Sequence, residues 1–441
     1  GILAKTKHNE VAPSQHELAP IFTSTNVASD QNQLMMETMK KVASRHGLYC
    51  LLHEKPFAGI NGSGKHNNWS MSTDTGLNLL DPGSTPAENG QFMLFLTAVI
   101  KAVDEYPDLL RLSVASAGND HRLGGNEAPP AIVSVFVGEE LEEIIDSLEK
   151  GVQYKGRKKG VMKLGVDTFP ELPKDTTDRN RTSPFAFTGN KFEFRMLGST
   201  FSIAGPNIMI NTIVADSLRQ FADELEGAKD FNAALHDLVV RELKAHKRII
   251  FNGNNYAPEW AEEAARRGLP NLRTCADALP HFADKKNVEL FERNKVFTER
   301  EVRSRMEIML ENYSKVLTIE ALTMVEMAKK DIYPAVNEYL SELCSAAYRK
   351  EQMGGGAKAD RELIQKLSAD NEAMYYAAGE IEHLLAQAKE AGGAEKTARF
   401  FADKVIPVMQ RLRAHADEME LNTAKKYWPF PTYGDILFSV S

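Results

Sequence analysis

Cysteine is scarce here: three in 441 residues, at Cys50, Cys275 and Cys344. An odd number at such wide spacings excludes a disulfide framework and a cysteine-rich zinc site, and it predicts reduced thiols in a cytoplasmic protein. Long apolar runs are missing too. Stretches such as Ala131-Ile132-Val133-Ser134-Val135-Phe136-Val137 fall far short of the roughly 20 residues that a membrane-spanning helix needs. No basic segment followed by an apolar one opens the chain, so no signal peptide is read there. No block of like charge forms a tail, and a net charge of −8 argues against a general nucleic-acid binder. Neither an internal repeat nor a low-complexity tract is present.

What remains is a long chain of ordinary composition, able to bury a large core in two or three domains. Apolar spacing predicts helices over 33–45, 86–104, 139–150, 205–226 and 232–250, with strands through Leu52 and over 132–136. Residues 156–174 are polar, basic and turn-rich, which predicts a surface loop or hairpin. Beyond about Pro258 the strand signals stop. Helical periodicity covers 298–350 with a break near Pro334, then 361–390 and 394–427, separated by Gly354-Gly355-Gly356 and Gly392-Gly393. The fold class is therefore α+β over residues 1–255, followed by a mostly α-helical antiparallel bundle over 256–441.

Three segments carry chemistry. Asn61-Gly62-Ser63-Gly64-Lys65-His66-Asn67-Asn68-Trp69-Ser70 follows an apolar run, brackets a serine with two glycines, and sets a histidine where it could ligate a metal. His8-Asn9-Glu10-Val11-Ala12-Pro13-Ser14-Gln15-His16-Glu17 holds two carboxylates close together. In Lys191-Phe192-Glu193-Phe194-Arg195 the charges and the rings alternate. A period of two puts Lys191, Glu193 and Arg195 on one strand face and both phenylalanines on the other. Half-buried charges of mixed sign need partners, and a metal with an anionic ligand would supply them. Taken singly, each residue has a plain structural reading: Glu10 and Glu17 as solvated carboxylates, His66 as a turn histidine, Arg122 and Arg181 as surface arginines. Lys65, His8, His16, His53 and His121 keep that plain reading here.

The co-occurrence of these segments in one order resembles the glutamine synthetase family, and nearly the whole chain is covered. Further matches are Gly118-Asn119-Asp120-His121-Arg122-Leu123 and Glu127-Ala128-Pro129. Several stretches look most like the type III branch: those beginning His53-Glu54-Lys55-Pro56 and Asp120-His121-Arg122, the long helical C-terminal part, and Trp428-Pro429-Phe430-Pro431. The resemblance implies a catalytic domain built as part of an antiparallel β barrel with helices. It implies ATP-dependent ligation of ammonia to L-glutamate through γ-glutamyl phosphate, with two or more Mg2+ or Mn2+ ions. Glu10 and Glu17 would help hold one metal, and His66 and Glu193 the second. Asn61, Gly62, Arg122 and Arg195 would bind the amino acid, Asn68 and Ser70 the nucleotide, and Arg181 the transferring phosphate. Glu127 would be a flap carboxylate that takes a proton from ammonium. The family also implies a homo-oligomer, a double-ringed dodecamer in type III.

Two family features find no counterpart: an N-terminal β-grasp domain and a Glu-x-Glu strand. The expectation is thus a C-terminal portion of a longer polypeptide, weak or inactive by itself. Two other readings stand beside the ligase. One is a γ-glutamyl ligase that uses another amine, and the other is a non-catalytic oligomer scaffold or fragment.

Overall fold

The computed structural model describes residues 1–57, 59–125, 128–154, 161–162, 172–173, 182–432 and 435. They fall into two compact units, Gly1–Arg303 and Ser304–Ser441. Among the described residues no helix is long and apolar enough to cross a membrane.

The first unit opens with an antiparallel hairpin of β1 (Ala4–Asn9) and β2 (His16–Pro20), whose register sets His8 opposite Glu17. Helix α1 (Thr25–Arg45) starts eight residues earlier than its apolar spacing predicts and ends before Gly47, whose φ of 69° suits a residue without Cβ. The strand expected through Leu52 does not form. Residues 48–52 are irregular, with Leu48, Tyr49 and Leu51 exposed, and they pair with no strand among the described residues. An apolar run becomes a strand only where a neighbouring edge accepts its backbone hydrogen bonds.

A four-stranded sheet follows in the order β3 (Gly64–Trp69), β8 (Phe192–Gly198), β7 (Phe185–Phe187), β4 (Val135–Phe136). The β3–β8 and β8–β7 pairs are antiparallel, and the short β4 joins β7 in parallel. Two more short strands, β5 (Val161–Met162) and β6 (Leu172–Pro173), pair within the predicted 156–174 hairpin. Phe192 and Phe194 are fully buried, while Glu193 and Arg195 on the opposite face are half-buried, as the alternation predicts. The rings form one aromatic cluster: Phe185 stacks on Phe192 at 4.9 Å, Phe187 meets Phe192 edge-on at 5.3 Å, and Phe92 lies 5.7 Å from Phe187. Phe92 comes from α2 (Gly90–Glu105), which packs against α6 (Ala204–Leu225) and α7 (Phe231–His246). Short helices α3 (Pro107–Leu112), α4 (Ala117–Arg122) and α5 (Glu139–Glu149) lie between α2 and the sheet's later strands in sequence. Helices α8 (Pro258–Arg266), α9 (Cys275–Ala278) and α10 (Lys285–Arg293) complete the unit.

The β3 side chains that point away from the charged face are polar yet buried. Asn67 donates to Asn207 Oδ1 at 2.9 Å and Trp69 Nε1 donates to Asn211 Oδ1 at 2.8 Å, both on α6. Trp69→Phe keeps the buried ring and loses one hydrogen bond to an exposed partner. It is expected to cost about 1 kcal/mol in urea denaturation.

In the second unit, α11 (Glu299–Glu326) continues into α12 (Tyr333–Gln352). The expected break at Pro334 is instead a π-turn at Met327–Ile332. A second π-turn, Phe401–Val405, precedes Pro407 between α14 (Ala394–Phe400) and α15 (Ile406–Asn422). A wide turn ahead of proline accommodates the missing N–H and the ring without ending the helix. Helix α13 (Lys358–Ala388) packs between α12 and α15, giving the antiparallel bundle.

Candidate active site

Four segments far apart in sequence converge on one cleft in the first unit, with a volume of about 2530 Å³. Glu10, Glu17, Asn61, Gly62, His66, Asn68, Ser70, Arg122, Glu193 and Arg195 all line it. Glu127 and Arg181 lie outside the described residues. Gln15 ties the first hairpin to the glycine loop, its Nε2 donating to Gly62 O at 3.2 Å.

The hairpin brings together a three-residue donor set. His8 Nε2 sits 2.8 Å from Glu10 Oε1 and 2.7 Å from Glu17 Oε2. All three ligand atoms lie within 4.8 Å of one another. Burial raises the Glu17 carboxyl above its ordinary value, and the neighbouring Glu10 raises it further. Two carboxylates beside an imidazole could hold a hard divalent ion. His8 is the member that the sequence reading passed over.

His66 sits at a β-bulge: the β3–β8 register shifts between Lys65 and Asn67. The bulge turns the imidazole to the cleft side, where its Nδ1 lies 3.7 Å from Glu193 Oε1. Water still reaches His66, whose side chain is 38% exposed, but protein walls surround it on the cleft floor. Burial, then the Arg195 charge, lower its pKa to about 4, with Glu193 opposing. A neutral imidazole is the form that binds metals. The two donor sets also sense each other, since Glu193 raises the pKa of Glu17 and Glu10 that of His66.

Arg122 lines the cleft as expected of a site residue. It is buried beneath the glycine loop, with Nη1 donating to Met196 O at 3.3 Å and Nη2 to Arg195 O at 3.1 Å. Burial lowers its pKa to about 10, and Arg195 adds to that while Glu54 opposes it. Its helix α4 is held by Asn119, which donates to Val114 O and Met196 O, each at 2.8 Å. Arg111 adds a buried ion pair to Asp120 at 2.9 Å. Ser70 bridges two neighbours, donating to Asn78 Oδ1 at 2.8 Å and Asn190 O at 3.1 Å. Asn68 is exposed on the cleft face, directly opposite Glu193 in the register.

Comparison with known proteins matches residues 1–132 to the model of the glutamine synthetase catalytic domain and residues 234–351 to that of the glutamine synthetase C-terminal domain. A glutamine synthetase of Butyrivibrio fibrisolvens is 50% identical, with the alignment covering 100% of this chain and 63% of the relative. The chain belongs to the glutamine synthetase family. A type-3 glutamine synthetase of Dictyostelium discoideum is 44% identical over 99% of this chain and 61% of its own length. A glutamine synthetase of Bacteroides fragilis is 40% identical over 100% and 62%. The chain thus spans about three-fifths of the length of these glutamine synthetases. The family is one of ligases, and the α+β architecture above is consistent with its fold.

Proposed function

We propose that the chain serves ATP-dependent ligation of ammonia to L-glutamate, giving L-glutamine through γ-glutamyl phosphate. The observation that carries this reading is the convergence of Glu10, Glu17, His66, Glu193 and Arg195 on one cleft beside the glycine loop. Divalent metal ions held by Glu10 and Glu17, with His8 beside them, and by His66 and Glu193, would offset the charge of the phosphate oxygens.

The chain's own residues then divide the work. Arg195 offers a planar fork to a substrate carboxylate, and Arg122 adds positive charge from beneath the loop. The backbone at Asn61 and Gly62 contacts the amino acid. Asn68 and Ser70 lie on the nucleotide side, where Ser70 is already fixed by Asn78. By the family resemblance Arg181 would serve the transferring phosphate, and Glu127 would accept a proton from ammonium as the nucleophile forms. A cytoplasmic homo-oligomer, a double-ringed dodecamer, is the assembly we propose.

The test is steady-state turnover of the full-length protein with glutamate, ATP and Mg2+, offering ammonia or a panel of small amines. Glutamine and ADP formed in equal amounts with ammonia, and little product from the amines, are expected. Preferred turnover of an amine would move the reading to another γ-glutamyl ligase. No turnover with any nucleophile would favour a scaffold.

A further inference from the structure

Glu54 has no part in the chemistry above, yet it is bound directly to the glycine loop. Its side chain is buried, at 2% exposure. The carboxylate accepts from Thr200 N at 3.0 Å and from the Thr200 hydroxyl, and the Glu54 carbonyl accepts from Ser63 N at 2.8 Å. Three glycines from separate segments close on it. A Cβ at Gly118 would lie 2.5 Å from Glu54 Oε2, one at Gly198 2.4 Å from Oε1, and one at Gly62 2.7 Å from the Glu54 carbonyl oxygen. None of the three has a positive φ, so the missing side chain makes room rather than conformational freedom.

A buried carboxylate is stable only with donors and opposite charge around it. Thr200 supplies the donors. On the other side of the same turn the partner is a lysine. Lys65 is not the solvated lysine that its sequence context suggests. Its Nζ donates to Phe201 O and approaches Met36 Sδ at 3.1 Å. Glu54 and Lys65 therefore grip consecutive residues, Thr200 and Phe201, in the turn that leaves β8. Lys65 also pairs with Leu197 on the near side of the bulge that presents His66.

The geometry points to Glu54 as a positioning residue for the amino-acid end of the site: with Lys65 holding the next residue, it locks the turn after β8 against the glycine loop and so fixes Asn61, Gly62 and His66. The kinetic part of its test rests on the ligase reading, whereas the exchange part does not. Glu54→Gln keeps size and one acceptor while removing the charge. In the full chain, amide hydrogen exchange at Ser63 and Thr200 is expected to rise at least about fivefold while α2 stays protected. The KM for glutamate is expected to rise about tenfold, with the KM for ATP within about twofold of the parent. Lys65→Met, which frees the Phe201 carbonyl, is expected to raise the glutamate KM in the same direction. Unchanged exchange at Ser63 and Thr200 would overturn the lock. Equal rises in both KM values, or a Lys65→Met variant with the parent's glutamate KM, would overturn the positioning role. A parent chain that makes no glutamine would instead defeat the ligase reading, and exchange alone would then decide on Glu54.

Discussion

On the ligase reading, Glu193→Gln is expected to lower kcat/KM for glutamine synthesis on the order of 10³-fold at fixed metal concentration, because the metal ion that Glu193 would hold offsets phosphate charge worth several kcal/mol. The position allows no substitute. Phe192 and Phe194 anchor the strand on either side in a fully buried aromatic cluster. The backbone therefore cannot turn to bring another group to His66, 3.7 Å away. The variant should nevertheless fold. Glu193 is 17% exposed at the cleft surface, and its charge pushes up the pKa of Glu17, a repulsion that the amide relieves. Without metal, the melting temperature is expected to equal or slightly exceed the parent's. With Mn2+ added, the parent should gain stability in proportion to occupancy and the variant much less, since a ligand that binds only the native state stabilises it by mass action. A variant that keeps the parent's metal-dependent shift would remove Glu193 from the donor set. One that melts well below the parent without metal would make it a structural residue.

Legibility in the sequence followed how local each signal was. The Phe192 to Arg195 alternation was readable because a strand's two faces are fixed by covalent geometry. The long helices were readable from apolar spacing, although α1 starts eight residues before its predicted start, whereas the short α3, α4, α8, α9 and α10 carried no such signal. The strand through Leu52 was misread because an apolar run does not say whether a partner edge exists. Pro334 reads locally as a breaker, and only packing along the α12 and α13 interface shows that the helix continues past a π-turn. His8 was passed over as a lone imidazole. Its role needs the hairpin register, and a turn at residues 10–15 places it opposite Glu17. Glu54 and Lys65 were hidden for a different reason. A glutamate and a lysine eleven residues apart read as two solvated charges until the fold buries both against Thr200 and Phe201.

The largest expected loss of stability comes from a place far from the cleft. Asp216 on α6 is fully buried and takes five hydrogen bonds. Arg293 donates through Nε at 2.7 Å and Nη2 at 2.8 Å, Asn294 at 3.0 Å, Gln220 at 2.9 Å and Arg219 at 3.3 Å. Arg293 also donates to Tyr106 at 2.8 Å, so one carboxylate joins α6, α10 and the end of α2. Asp216→Ala strands these donors and is expected to cost about 3–5 kcal/mol, the usual loss when one partner of a buried pair is removed. The first unit's melting temperature should fall on the order of 5–15 °C. Asp216→Asn, which keeps an acceptor, should fall between parent and alanine. Burial works against ionisation here but is outweighed by the hydrogen bonds from Arg293 and Asn294 and by the Arg293 charge, so the carboxyl is held well below its ordinary range. A depressed carboxyl stabilises the fold above its unfolded pKa, about 3.9, and that contribution drains away as pH falls toward the folded value. The gap between parent and Asp216→Ala should accordingly be constant from pH 7 to about 5 and shrink below about pH 4. A gap that stays constant down to pH 3 would mean that the loss is one of packing, not of the ion pair.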